Sequence, residues 1–255
     1  MTIIPKIKKI KKIYAIKIKI RNIKNLFKSI IYLFSNRTDL EKIINFIKHF
    51  FKVGKIKIDI NRDDFYKEKF FDHGDWFIHK APLIIDYFNN TNKNNIIEIL
   101  EIGSWEGRSA CFFLNYFKNS TLTCVDTWEG SPEIFNKATP DLNSVERNFD
   151  KNVFEFQNRV TKHKIRSKMF FEVNKLKFDF IYVDGSHYYD DVLNDAQEGF
   201  KILKENSYML FDDYDWNFYK YGKNPINAIN LFLKLNKEKI KIVYISTQVL
   251  IQKIN

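Results

Sequence analysis

EILEIGSWEGRS, residues 98–109, followed by TLTCVDTWEG at 121–130, decides how this chain folds. The apolar run 96–102 suits a strand buried in a parallel sheet, and Gly103 and Gly107 then let the backbone turn into a helix that begins near Arg108. The second run, 122–125, ends in Asp126, 23 residues after Gly103. An acid at about that spacing, on the tip of the neighbouring strand, is where a doubly wound sheet hydrogen-bonds the ribose of a nucleotide-like ligand. The chain has only 8 glycines, and Gly103, Gly107, Gly130 and Gly185 all fall just after predicted strands. The loop is not G-x-G-x-x-G, and Glu101 and Glu106 would repel a pyrophosphate, so a cationic ligand suits it better.

Outward from this pair of strands the pattern alternates. Helices are expected at 78–89, 108–118 and 141–158, strands at 179–183 and 208–211, and a helix between those strands over 190–204. Two last strands, 240–245 and 249–253, are joined too closely for a helical crossover and must pair antiparallel. Cys111 and Cys124 have neither disulfide-framework nor metal-ligand spacing and read as buried thiols.

Residues 98–109 resemble motif I of class I S-adenosylmethionine-dependent methyltransferases, and Asp126 resembles their ribose-binding acid. The likeness continues through FDFIYVDGSHYYDDVLNDAQEGFKILKENSYMLFDDYDW at 178–216 and NPINAINLFL from Asn224. It implies an α/β fold: a doubly wound, mostly parallel seven-stranded sheet with an antiparallel last strand, plus an N-terminal helical extension. In the cofactor site that it implies, the backbone of 103–107 and Ser104 approach the methionine moiety, and Glu101 orients the loop or the amino group. Asp126 takes the ribose hydroxyls, while Thr127 and Trp128 wall the adenine, Trp128 reading equally as core. Residues 149–167 resemble the segment leading to the adenine pocket, which adds Ser167; Arg159, Lys162 and Lys164 within it read as a solvated face.

Asp184-Gly185-Ser186-His187 follows one expected strand and Asp212-Asp213 the next, so three carboxylates and an imidazole should meet on one rim. Like charges so close call for a cation, and hard oxygen ligands suit Mg²⁺, Mn²⁺ or Ca²⁺. The arrangement is similar to metal-dependent sugar O-methyltransferases of the macrocin and mycinamicin type. That resemblance implies Asp184, Asp212 and Asp213 as metal ligands, with Asp184 also catalytic, and His187 as general base. The alternative is that Asp184 only holds the methionine amino group, Asp212 and Asp213 cap a loop, and no metal binds. Tyr188, Tyr189, Tyr214, Trp216, Phe218, Tyr219 and Tyr221 flank the site and read either as a wall for a sugar or aromatic acceptor or as core.

Charge divides the chain. Residues 1–60 hold 16 Lys or Arg and 3 Asp or Glu, against 26 and 28 in the remainder. We read 1–60 as a basic extension and 61–255 as the catalytic domain. Apolar residues at helical spacing predict two amphipathic helices, one over 23–34 and one over 40–51, with Thr38 and Glu41 as a capping box and Gly54 as a stop. The Ile/Lys alternation at 6–20 fits a strand, a basic helix or a disordered arm alike. The extension suits an acidic membrane surface, nucleic acid or helix pairing between copies, and a composition biased toward Lys, Ile and Asn explains it as well. No segment reads as a signal peptide or bilayer span, so a cytoplasmic enzyme is expected. A small-molecule or glycan hydroxyl is the expected acceptor. A nucleic-acid methyltransferase using the basic arm is the alternative, opposed by the slightly negative catalytic portion, and a non-catalytic cofactor-binding module is a third reading.

Overall fold

The computed structural model describes residues 23–53, 56, 63–131 and 141–254. Residues 6–20 and the expected helix stop at Gly54 lie outside these. Seven strands form one sheet: β1 (Glu98–Ile102), β2 (Thr121–Asp126), β3 (Val160–Lys164), β4 (Phe178–Val183), β5 (Leu203–Phe211), β6 (Ile240–Ile245) and β7 (Val249–Lys253). Their order is β3-β2-β1-β4-β5-β7-β6. The first five run parallel, while β7 is antiparallel to both β5 and β6. The chain order reverses beside β1, so the crevice between β1 and β4 is where such a sheet receives a ligand.

Helices cover both faces: α1 (23–35), α2 (Leu40–Val53), α3 (Asp63–Tyr66), α4 (Ala81–Asn89), α5 (Arg108–Tyr116), α6 (Leu142–Val153), α7 (Ser167–Val173), α8 (Tyr189–Ile202) and α9 (Pro225–Leu235). Strand side chains alternate between faces, which sorts the core into two clusters. Ile99, Phe180, Tyr182 and Leu210 pack with Ile84, Phe88, Phe112 and Phe113. Leu100, Ile102, Ile181 and Val183 pack with Val192, Ala196, Ile229 and Phe232, and Leu26, Leu33, Ile43 and Phe46 of α1 and α2 complete that cluster. Polar contacts fix the two N-terminal helices: Asn227 donates to Asn36 (3.0 Å), Asn230 to Thr38 (3.0 Å) and the Ile245 amide to Asn45 (2.8 Å). Thr38, expected to cap α2, thus accepts from α9.

Two strands depart from the sequence expectation. VTKHK forms edge strand β3, half-exposed and polar, where no strand was expected. β5 begins at Leu203 rather than 208, because Leu203 pairs with Phe178 before the register shift. No described helix is long and apolar enough to cross a membrane.

Candidate active site

Each strand's hydrogen-bond ladder runs one residue past its end, and this places the functional groups at one level. The Gly103 amide donates to Val125 (2.9 Å), Asp184 to Ile102 (2.8 Å) and Asp212 to Val183 (3.0 Å). Asp126, Asp184 and Asp212 therefore share the carboxyl rim. Gly103 sits at φ +87°, and a Cβ there would lie 2.0 Å from the Asp184 carbonyl oxygen, so only glycine lets β1 and β4 meet this closely.

Asp126 folds back on the loop. Its Oδ2 accepts from the Ser104 (2.8 Å) and Trp105 (2.9 Å) amides and its Oδ1 from Trp128 (2.7 Å). Ser104 is buried and donates its hydroxyl to Glu101 (2.6 Å). Burial pushes the Glu101 carboxyl up to about 7, with Ser104, Ser109 and Cys124 opposing the shift. Glu101 Oε1 and the Trp105 indole N–H are buried without hydrogen-bond partners. Gly107, at φ +79°, caps α5.

Several expected contacts serve the scaffold. Trp128 is 3 % exposed, packs on Phe149 (4.9 Å) and donates its indole N–H to the Trp105 carbonyl (2.8 Å), which makes it core. The Thr127 hydroxyl accepts from the Glu129 amide (3.2 Å). Ser167 hydrogen-bonds to Asp195 of α8. Arg159 is no solvated charge: it donates to the Leu114, Lys118 and Ser120 carbonyls that end α5 and follow it. Lys162 and Lys164 pair with Glu146, and Lys162 also with Asp150. Tyr214 is fully buried and bonds Asn230 (2.8 Å). Cys111 and Cys124 are buried, free thiols.

The second half of the site centres on a residue that the sequence reading missed. Lys80 is the N-cap of α4 and its side chain is only 7 % exposed. Its ammonium bonds Asp212 and lies 2.8 Å from Asp213 Oδ1. Burial alone would lower its pKa, but Asp212, Asp213 and Asp184 together outweigh that and hold it above the ordinary lysine range. Burial would likewise raise the Asp213 carboxyl, yet Lys80 and His187 hold it below the usual carboxylate range. Asp184 moves the other way, pushed well up by burial and by its acidic neighbours Asp212 and Asp213. Tyr182 places one hydroxyl between Asp184 (2.9 Å) and Asp212. His187 Nε2 lies 3.0 Å from Asp213 Oδ2, and its ring stacks on Trp216 at 4.6 Å. Ser186 donates to Asp191 in the first turn of α8 (2.7 Å).

Residues 69–80 reach this rim as a strap over the loop. Glu106 accepts from the Asp72 (2.9 Å) and His73 (3.1 Å) amides and from Asn148 (2.9 Å), while Asn152 bonds the Phe70 amide (2.6 Å) and carbonyl (2.7 Å). Asp75 accepts from the Phe77 (3.2 Å) and Ile78 (3.0 Å) amides and turns the strap into α4.

The geometry bears on both implied ligands. For S-adenosylmethionine the residues fit: an orphaned Glu101 oxygen and Trp105 N–H lie in the loop, and Asp126, with three donors on two oxygens, retains acceptor capacity beside an acidic crevice suited to a sulfonium. For a divalent ion the available donor set differs from the implied one. Asp184, His187 and Asp213, rather than the three aspartates, offer donor atoms within 4.8 Å of one another. Asp213 already holds Lys80 and His187 on its two oxygens, and Asp212 holds Lys80 and Tyr182.

Comparison with known proteins agrees with the architecture. Residues 100–214 match the family described as Methyltransferase domain. An uncharacterised protein of Acanthamoeba polyphaga mimivirus is 24 % identical over 151 residues, which span 58 % of this chain and 64 % of that one. Among solved structures, MycE methyltransferase of the mycinamycin pathway, in complex with Mg and SAH, has a TM-score of 0.50 at 13 % identity over 70 % of this chain and 51 % of its own. A candidate O-methyltransferase from Klebsiella pneumoniae has a TM-score of 0.50 at 12 % identity over 85 % and 91 %. At these identities the structural likeness concerns the fold.

Proposed function

We propose that this protein transfers the methyl group of S-adenosylmethionine to a hydroxyl of a small molecule or glycan, with His187 as general base and Lys80 as the cation of the site. The observation that carries the reading is the His187–Asp213 contact of 3.0 Å on the same rim as the Gly103 loop and Asp126. S-adenosylmethionine supplies an electrophilic methyl group, so the protein's tasks are alignment of the acceptor oxygen and removal of its proton.

Glu101, Ser104 and Asp126 hold the cofactor side of the crevice, and Asp184 lies between it and the base. Asp213 orients the imidazole and favours the imidazolium formed when His187 takes the acceptor proton, the role a carboxylate plays in a hydrolase triad. Trp216 fixes the ring plane, and Trp216, Phe218 and Tyr219, which touch one another, offer an aromatic wall to the acceptor. Lys80 offsets the negative charge of the carboxylates, the part that a divalent ion would play in a metal-dependent enzyme, and is the like charge that such an ion would meet.

The test is incubation with methyl-labelled S-adenosylmethionine and a panel of sugars, macrolide glycosides and phenols in the presence of a chelator. Label on a hydroxyl, lost in His187→Ala while cofactor binding persists, supports the reading. Label on RNA alone, or cofactor binding with transfer that survives His187→Ala, overturns the acceptor class or the base.

A further inference from the structure

The N-terminal helices carry more apolar surface than the core covers. On α1, Leu26 and Leu33 face the core, yet Ile23 (44 %), Phe27 (61 %), Ile31 (64 %) and Phe34 (57 %) are exposed on a second stripe at spacings of four, four and three. α2 repeats the arrangement, with Ile43 and Phe46 buried and Leu40, Ile44 and Phe51 exposed. These 31 residues hold 7 of the 17 exposed large hydrophobic side chains among the described residues, whereas the other ten are scattered from Phe70 to Leu235. Concentrated apolar exposure of this kind marks a contact surface.

Its chemistry selects the partner. Lys24, Lys28 and Lys48 are exposed on the same two helices and Arg37 in the turn between them, and residues 1–60 as a whole carry 16 basic and 3 acidic residues. A second copy docking the same face against itself would bring two such basic segments together and be repelled. Nucleic acid would answer the charge but not cover the phenylalanines and isoleucines. A surface with an acidic plane above an apolar interior answers both: aromatic and aliphatic side chains enter the headgroup boundary while lysines meet anionic headgroups.

We propose that α1 and α2 form a docking face for an anionic lipid surface. The protein binds it in the interface plane without crossing it, and the catalytic sheet stays outside the bilayer. The proposal is independent of the reaction, because none of these side chains belongs to the crevice between β1 and β4.

The full chain is sedimented with vesicles of phosphatidylcholine alone and of phosphatidylcholine with phosphatidylserine in equal parts. Binding is expected to the mixed vesicles, to weaken with added salt, and to fall by roughly tenfold in Phe27→Ser/Ile31→Ser/Phe34→Ser. Should that triple variant fail to fold by circular dichroism, Lys24→Glu/Lys28→Glu carries the test, with loss of the preference for anionic vesicles expected. Equal binding to both vesicle types, unchanged binding of a folded triple variant, RNA binding without vesicle binding, or self-association that the triple variant abolishes while wild-type protein ignores vesicles would each overturn it.

Discussion

The Lys80 ammonium lies 2.8 Å from an Asp213 carboxylate oxygen, 133 positions away in sequence, and also bonds Asp212. It ties the strap over the Gly103–Gly107 loop to the end of β5.

Removing that charge while keeping the chain length, in Lys80→Met, leaves buried carboxylates uncompensated. Such a break costs about 3–5 kcal/mol, read as a lower urea midpoint. Calorimetry should then show Mg²⁺ or Mn²⁺ binding by the variant and none by the wild type, and a chelator should leave wild-type turnover unchanged. Divalent-ion binding by wild-type protein as tight as by the variant contradicts this role for Lys80.

Gly103→Ala and Gly222→Ala separate contact from conformation. Both glycines have positive φ, +87° and +80°, but a Cβ meets the Asp184 carbonyl oxygen at 2.0 Å in the first case and open space in the second. Gly222→Ala should cost about 1 kcal/mol, as expected for an L-residue in the left-handed region. Gly103→Ala should cost several times more and abolish cofactor binding. Equal losses in thermal unfolding contradict the contact.

Burial pushes the Asp195 carboxyl on α8 up to about 7, against hydrogen bonds from Ser167 and Asn194. Above about pH 4, where an unfolded aspartate ionises, the folded protein keeps a proton that the unfolded chain releases. This contribution to stability is complete below that pH and is lost as pH rises through 7. Asp195→Asn should therefore gain stability relative to wild type on moving from pH 5 to pH 8, by urea unfolding. A constant difference across that range refutes the assignment.

For the base, Asp213→Asn should lower kcat by two or more orders of magnitude, roughly the scale of general-base catalysis, and shift its pH profile, with little change in cofactor affinity. If kcat stays at the wild-type value, Asp213 does not position His187.

Much of this was legible in the residues. The ends of β1, β2 and β4 are marked by short apolar runs closed by Gly or Asp, because a strand buried on both faces leaves no polar alternation to confuse the reading. The two amphipathic helices were equally plain. β3 was not: VTKHK is a half-exposed edge strand whose lysines pair with α6 instead of spelling an apolar run. The start of β5 was read as helix because LKEN carries no strand pattern and its pairing depends on Phe178. Lys80 was hidden among 42 basic residues, although a lysine just before Ala81-Pro82 was a signal. A cation at a helix N-terminus opposes the helix dipole and calls for an anion elsewhere. Which donors would be spent on one another is likewise a matter of side-chain packing, invisible in Asp-Gly-Ser-His or Asp-Asp.

The most direct measurement is calorimetric titration of the full chain with S-adenosylmethionine in excess chelator, beside Asp126→Ala. Saturable one-to-one binding to wild type is expected without any divalent ion, and weaker binding by the variant. No heat from wild type, or binding that appears only when Mg²⁺ is restored, contradicts it.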